Sequence, residues 1–450
     1  MSAHHQLSEA IRSAVNTAHA ASLLSVAAPE TITLERPKNR DHGDYATSIA
    51  LVLAKAAGKP PREIAEIVVK ALSGNPTIEK LEIAGPGFIN ITLAKASQGA
   101  VVSSILNQKE KFGLGNSLKG IKINLEFISA NPTGPLHLGH TRWAAVGDAL
   151  GRTLSAAGAE VTREFYVNDR GVQMDLFGES IRASALGIAR PESGYQGAYI
   201  DDLAKQIKSE HPDFVSLPEQ ESIVAFREAG YALQLKQQQD VLERFGTHFD
   251  VWFSERSMHE KDAIAKAMKQ LKSQGHVFEH EGATWLRTTD FGDDKDRVLI
   301  KSDGELTYFS SDTAYYVNKR DRGFDICIYM LGADHHGYVG RLKATAACAG
   351  DNPDYNIEVM IGQLVKIMEG GEEVKLSKRA GTIITLEDLV EKVGVDAARY
   401  TLIRYPVNTP MVLDVDLLKK RTNDNPVYYV QYAHARIVAL LRNAAEYKIP

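Results

Sequence analysis

A doubly wound parallel α/β sheet, interrupted by an insertion, preceded by a small α/β domain and followed by helices, is the fold this sequence predicts. Three observations carry the expectation. The run KINLEFIS is short, continuous and apolar, as a strand buried on both faces of a parallel sheet would be. A Gly/Pro turn (ANPTGPLHLGH), a helical stretch (TRWAAVGDALGRTLSAAG) and a second strand (VTREFYVND) follow, the order of a βαβ unit. Sheet-like segments return much later, at RVLIKSDGELTYF, DICIYMLG and NIEVMIGQL.

The elements in chain order are as follows. Residues 4–28 space Leu7, Ile11, Val15, Leu23 and Leu24 as one buried helical face. After the polar stretch ERPKNRDHGDY, residues 45–57 and 61–72 read as two more helices, with Pro60 and Pro61 favouring a turn and a helix start. IEKLEIAGPGFINITL reads as strand, turn, strand. Residues 1–112 thus form a small α/β domain, bounded by the Gly-rich linker KFGLGNSLKG. Residues 113–375 form the sheet domain, with a mostly helical insertion at about 170–300. From LEDLVEKVGVDAARYTLI the chain is expected to be helical to its end, as one region over 376–422 and the start of another over 423–450.

Composition bounds the classes. A chain of 450 residues holds two to four domains, and 44% apolar with 24% charged residues is ordinary for a soluble globular protein. With a net charge of −5, a nucleic-acid partner would need a local basic face. Cys327 and Cys348 lie in apolar surroundings with no CxxC companion and read as reduced core thiols. There is no signal-peptide pattern and no run near the ~20 apolar residues of a membrane span, so a cytoplasmic protein with no membrane partner is expected.

Two segments carry phosphate chemistry. Pro135-Leu136-His137-Leu138-Gly139-His140 sits between the first sheet strand and its helix, where anions meet helix N-termini. Pro135 stiffens the approach, Gly139 leaves room for a flat base, and His137 and His140 are spaced to face one spot. Histidines three apart are often plain surface residues; the strand–HxGH–helix context favours the nucleotide reading. No third zinc ligand is evident, so no metal site is expected. Downstream, Lys375-Leu376-Ser377-Lys378-Arg379 follows the loop MEGGEEV, and its cations could close over the β- and γ-phosphates. By itself KLSKR could be a solvated basic turn; paired with HLGH, in that order, it is a strong signal.

HLGH with KLSKR resembles the HIGH and KMSKS signature pair of class I aminoacyl-tRNA synthetases. EFISANPTGPLHLGHTR, FYVNDRGVQMDLFGESI, FDVWFSERS, GADHHGY, LSKRAGTIITLEDLV and NPVYYVQYAHARI narrow the resemblance to arginyl-tRNA synthetases, and it covers almost the whole chain. N-terminal GDYAT and AGPGFIN resemble that family's extra domain. Leu138, Leu376 and Arg379 depart from the generic motifs conservatively or as the family allows.

The resemblance implies an arginine pocket, and a guanidinium fork needs carboxylates. The matching residues are Tyr308 and Asp312, four apart and on one face if helical, with Glu255, Glu126, Ser129 and Asn131 around the substrate. Asp334 and His335, after DICIYMLG, match a carboxyl-edge site for ATP or arginine; Val339 stands where the family often has Gln. Arg36, Lys38, Arg40 and Tyr45 suit a tRNA backbone and a stacked base.

The chemistry so implied is attack of the arginine carboxylate on the α-phosphate of ATP, then transfer to the tRNA(Arg) 2′-OH, with Mg2+ accompanying ATP and the chain acting as a monomer. The 423–450 segment resembles the start of an anticodon-binding helical domain, so a C-terminally shortened chain, impaired chiefly in tRNA charging, is expected. Another HxGH nucleotidyltransferase and a non-catalytic tRNA-binding relative are the alternatives. The first usually lacks FDVWFSE; the second should have lost His137, His140 or Lys378. A redox Rossmann enzyme is disfavoured, because no GxGxxG follows the first strand.

Overall fold

The computed structural model describes residues 3–260, 263–374 and 384–448. The chain divides into two compact units, Met1–Leu114 and Gly115–Pro450, and each is described by itself.

The first unit contains α1 (Ala3–Ala20), β1 (Tyr45–Thr47), α2 (Ile49–Ala57), α3 (Pro61–Leu72), β2 (Ile78–Ala84), β3 (Phe88–Leu93) and α4 (Lys95–Gln108). Its sheet has the order β1-β3-β2 and is antiparallel. Leu7, Ile11 and Val15 of α1 meet Ile64 and Val68 of α3 and Ile89 and Ile91 of β3 in one core. Two expectations need correction. The first helix ends at Ala20 rather than near 28, because Ser22 turns into the left-handed region (φ 59°) and its N–H closes on His19 O at 2.9 Å. The expected helix over 45–57 begins only at Ile49; Tyr45 and Thr47 alternate inward with Ala46 between them, and β3 takes them as a strand.

The second unit is built on five parallel strands in the order β11-β10-β4-β5-β6, namely β4 (Lys122–Glu126), β5 (Glu160–Val167), β6 (Val251–Ser254), β10 (Ile326–Gly332) and β11 (Ile357–Gly362). Helix α5 (Leu138–Ala156) packs closely on β4: a Cβ at Gly147 would lie 2.4 Å from the Phe127 ring. Between β5 and β6 run α6 (Val172–Leu186), α7 (Tyr199–Glu210) and α8 (Glu219–Arg244), which bury Phe177, Ile181 and Phe226 among themselves.

The region expected as one helical insertion over 170–300 is therefore compound. Its Val251-Trp252-Phe253 segment pairs with β5 as an edge of the main sheet, as β-branched and aromatic residues favour. After α9 (Arg256–Glu260) and α10 (Ala263–Ser273), strands β7 (Val277–His280), β8 (Ala283–Leu286) and β9 (Arg297–Ile300) form a separate antiparallel sheet. The sheet-like reading of RVLIKSDGELTYF holds only for its first half, since Tyr308 opens α11 (Tyr308–Asp321), capped by the Thr307 side chain.

Helix α12 (Tyr338–Cys348) lies between β10 and β11 in the chain. A last sheet joins β12 (Val365–Glu369), β13 (Glu372–Glu373) and β14 (Met411–Asp414). Helices α13 (Leu386–Val393), α14 (Val395–Ile403), α15 (Val415–Leu418) and α16 (Pro426–Glu446) complete the chain. The all-helical end is corrected by β14, whose Met411 and Leu413 face the core in alternation and pair parallel with β12.

Candidate active site

The chain winds from β4 through β5 to β6 on one side, then places β10 and β11 on the other. Ligands of open α/β sheets bind outside the carboxyl ends at such a switch point. Glu126 closes β4, with Ser129 and Asn131 just beyond; Asp169 follows β5, Glu255 follows β6, and Asp334 and His335 follow β10. Glu126, Ser129, Asn131, Glu255, Asp334 and His335 of the sequence-predicted groups therefore follow the carboxyl ends of the sheet strands.

HLGH forms the start of α5. His137 is the N-cap, its Nδ1 accepting the Gly139 N–H at 3.1 Å, while the His137 N–H reaches His140 Nδ1 at 3.3 Å. Both imidazoles thus satisfy backbone donors of the first turn through Nδ1, which in the neutral ring puts the proton on Nε2. Their centroids are 4.0 Å apart. A Cβ at Gly139 would stand 3.0 Å from His137 Cε1, so the missing side chain is what lets that ring fold over the turn. Pro135 is half-buried ahead of buried Leu136.

Lys375, Ser377 and Lys378 lie outside the described residues. The flanking chain is tied to HLGH: Leu138 donates to Ile384 O at 3.2 Å and Leu386 donates to Leu136 O at 2.8 Å. On the other flank, Val374 donates to Ile367 O at 2.9 Å.

The acids converge. Asp312 has its carboxyl pushed up to about 7, first by burial, then by repulsion from Glu126 and Glu255, with Arg341 opposing. Burial, and then the charge of Asp169, also raises the Glu255 carboxyl against the pull of Arg170. Glu255 and Tyr308 line one cavity of about 960 Å³ with Asp169, Arg170, Arg256 and His259. Tyr308, 83% exposed, stands at the rim. Glu126 is more constrained: its Oε1 accepts from Ser129 Oγ at 2.9 Å and its Oε2 from Lys319 Nζ at 2.6 Å.

Backbone strain marks the same corner. Ile128 and Ser129 have φ of 72° and 44°, costly for non-glycine residues at about 1–3 kcal/mol each. The bend turns Ser129 Oγ toward Glu126 and lets it accept the Tyr166 N–H at 3.3 Å. Asn131 donates to Gln173 Oε1, and its carbonyl accepts from Gln238 Nε2 at 3.1 Å.

Asp334 and His335 sit on a short 3-10 turn and pair with each other at 3.5 Å, both largely exposed. Both cysteines are buried, which pushes the Cys327 thiol up to about 11 and that of Cys348 to about 12. In the first unit, Arg36 is exposed and stands 5.6 Å over the Tyr45 ring. Tyr45 itself is 8% exposed, in the core, with His4 against it at 6.1 Å. The ring expected to stack a base lies against Arg36 and His4 here.

Three participants were not singled out from sequence. Asp169 is buried and accepts from Ser254 Oγ at 2.6 Å, Tyr231 Oη at 3.2 Å and the Arg256 N–H at 3.1 Å. Glu164, the register partner of Glu126, accepts from Tyr315 Oη and from Arg322, whose guanidinium holds its carboxyl below the usual range despite burial. Lys319 is fully buried. Spacing could have flagged it, since it lies seven residues beyond Asp312 on the same helical face.

With this geometry in view, comparisons place the chain. A family described as the arginyl tRNA synthetase N terminal domain matches residues 5–93, and one described as the class I (R) tRNA synthetase catalytic domain matches residues 101–436. An arginine–tRNA ligase of Frankia alni is 53% identical over 444 residues, 99% of this chain and 80% of that protein. One from Paenarthrobacter aurescens is 52% identical over 440 residues, 98% and 79% of the two chains. The solved Thermus thermophilus arginyl-tRNA synthetase superposes with a TM-score of 0.73 over 97% of this chain and 82% of that one, a likeness of fold at 19% identity.

Proposed function

The chain belongs to the arginyl-tRNA synthetase family and is an ATP-dependent arginine–tRNA ligase; we propose how its residues divide that work. The arginine carboxylate attacks the α-phosphorus of ATP, the bond to the bridging oxygen breaks, and pyrophosphate leaves. The 2′-OH of the tRNA(Arg) terminal ribose then attacks the adenylate carbonyl, and AMP leaves. No protein nucleophile is needed, so catalysis is positioning and electrostatic stabilisation.

The arginine end meets Asp312, Glu255 and the Tyr308 ring, with Glu126, Ser129 and Asn131 around the α-amino side. The observation that carries this reading is the buried Asp312 carboxyl, which Glu126 and Glu255 both repel and a guanidinium would relieve. His137 and His140, at the positive end of α5, face the phosphates, with Pro135 and Gly139 shaping the turn and Asp334 and His335 on the opposite lip. Lys375, Ser377 and Lys378 complete the phosphate side. Magnesium arrives with ATP, where phosphate oxygens and water would hold it and it would neutralise their charge. Exposed Arg36, with Arg40, meets the tRNA backbone. The proposed setting is a monomer in the cytoplasm. Among the described residues no helix is long and apolar enough to cross a membrane.

The test is ATP–pyrophosphate exchange with each of the twenty amino acids, tRNA present. Arginine should give the main signal, and lysine little, since an ammonium cannot match a bidentate fork. A larger signal from any other amino acid would refute the pocket assignment.

A further inference from the structure

We propose that Lys319 is a positioning residue for arginine, holding the Glu126 carboxylate in place from beneath the pocket floor; this rests on the reading of the acid cluster as the arginine pocket. Lys319 lies on α11, two turns beyond Asp312 on the same face, with Tyr315 between them. Its ammonium is 2.6 Å from Glu126 Oε2, and its side chain is 0% exposed. The ammonium lies 4.3 Å from the Tyr315 ring centroid and 3.8 Å from that of Tyr329, so two aromatic faces enclose it.

A lysine is rarely buried, and here its burial has a definite result. Glu126 has one oxygen on Lys319 and the other on Ser129, so neither oxygen can rotate away from the floor. On the next strand, the paired Glu164 is held by Tyr315 and by Arg322, just past the end of α11. Two carboxylates on adjacent strands thus clamp one helix, and that helix carries Tyr308 and Asp312 at its other end. Without the Lys319 link, Glu126 would swing, and its repulsion on Asp312 would change. A pocket tuned for one guanidinium would then be misset in both charge and position. A displacement of about 1 Å can cost roughly 10²-fold.

The experiment compares Lys319→Met, Glu126→Gln and the double variant of the full chain in arginine-dependent pyrophosphate exchange at saturating tRNA, with thermal melting alongside. Lys319→Met should raise the arginine KM roughly 10²-fold while the ATP KM holds, and should lower Tm by leaving a buried charge unpaired. The double variant should recover Tm yet keep the arginine KM of Glu126→Gln alone, because the two residues act as one. Should Lys319→Met fail to fold, the double variant still carries the comparison. The proposal is overturned if Lys319→Met leaves the arginine KM unchanged or raises both KM values alike. It is also overturned if the two substitutions multiply, or if the double variant returns to the wild-type arginine KM. If the pocket reading itself is at fault, Asp312→Asn will leave arginine use intact as well, which separates the two failures.

Discussion

On the proposed arginine side of the site, charged groups are buried and pinned by other charges, as with Lys319 on Glu126 and Arg322 on Glu164. On the phosphate side, the groups sit at a helix start, held by backbone N–H contacts to His137 and His140, beside a chain segment that returns at Ile384. The contrast matches the two tasks. Arginine keeps its charge throughout the reaction, so its partners can be fixed before it arrives. Charge on the phosphates grows and moves in the transition state, which is where the proposed roles of the helix dipole and the KLSKR cations lie. Substitutions on the first side should therefore act mainly through arginine KM, and on the second through kcat.

The largest effect is expected at Asp312. Asp312→Asn removes the charged partner of a guanidinium, a loss of about 2–5 kcal/mol in kcat/KM for arginine, with the ATP KM preserved. Steady-state exchange kinetics check it; an unchanged arginine KM takes Asp312 out of the pocket. Next comes Lys378→Ala, expected to slow adenylate formation roughly 10²–10³-fold with arginine binding nearly intact. Single-turnover ATP consumption reads that step directly.

A smaller effect distinguishes the sides by pH. Because Asp312 is pushed up to about 7, arginine must displace a proton below that pH. The arginine KM should rise as pH falls below about 7, by at most about tenfold per pH unit, and the slope should flatten in Asp312→Asn. The sign for the empty protein is opposite. A raised carboxyl favours the folded state while protonated, so stability is lost as pH rises through about 7. Asp312→Asn should then melt higher than wild type at pH 8 without arginine, by about 2–4 °C per kcal/mol recovered; equal melting temperatures would remove the burial cost.

Legibility in the sequence follows the same division. HLGH could be read because its context is local: a strand, a tight turn and a helix start in one stretch of chain. The acids at 126, 255 and 312 were named through family resemblance, and the fold brings Glu126 and Glu255 within electrostatic reach of Asp312. Lys319 was missed because a lysine on a helix normally faces water; its spacing from Asp312 was a hint, and β4 and β10 reveal what covers it. Strand β6 was hidden in a helical stretch because four residues carry too little pattern and its partner β5 lies more than eighty residues away. The burial of Tyr45 was not legible among its basic neighbours, because it depends on α1 and β3 folding over it.

The smallest predicted effect lies in the first unit. Arg36→Ala should weaken tRNA binding alike across tRNA sequences and reduce the slope of log affinity against log salt by about 1, with exchange at saturating tRNA unaltered. Filter binding across a salt series measures it.

The most direct test of the two-sided account sets Asp312→Asn and Lys378→Ala side by side in arginine-dependent pyrophosphate exchange at saturating tRNA. The account predicts that Asp312→Asn raises the arginine KM with most of kcat left, and that Lys378→Ala lowers kcat with the arginine KM nearly unchanged. The reverse pattern, or the same loss of kcat and KM in both variants, would contradict it.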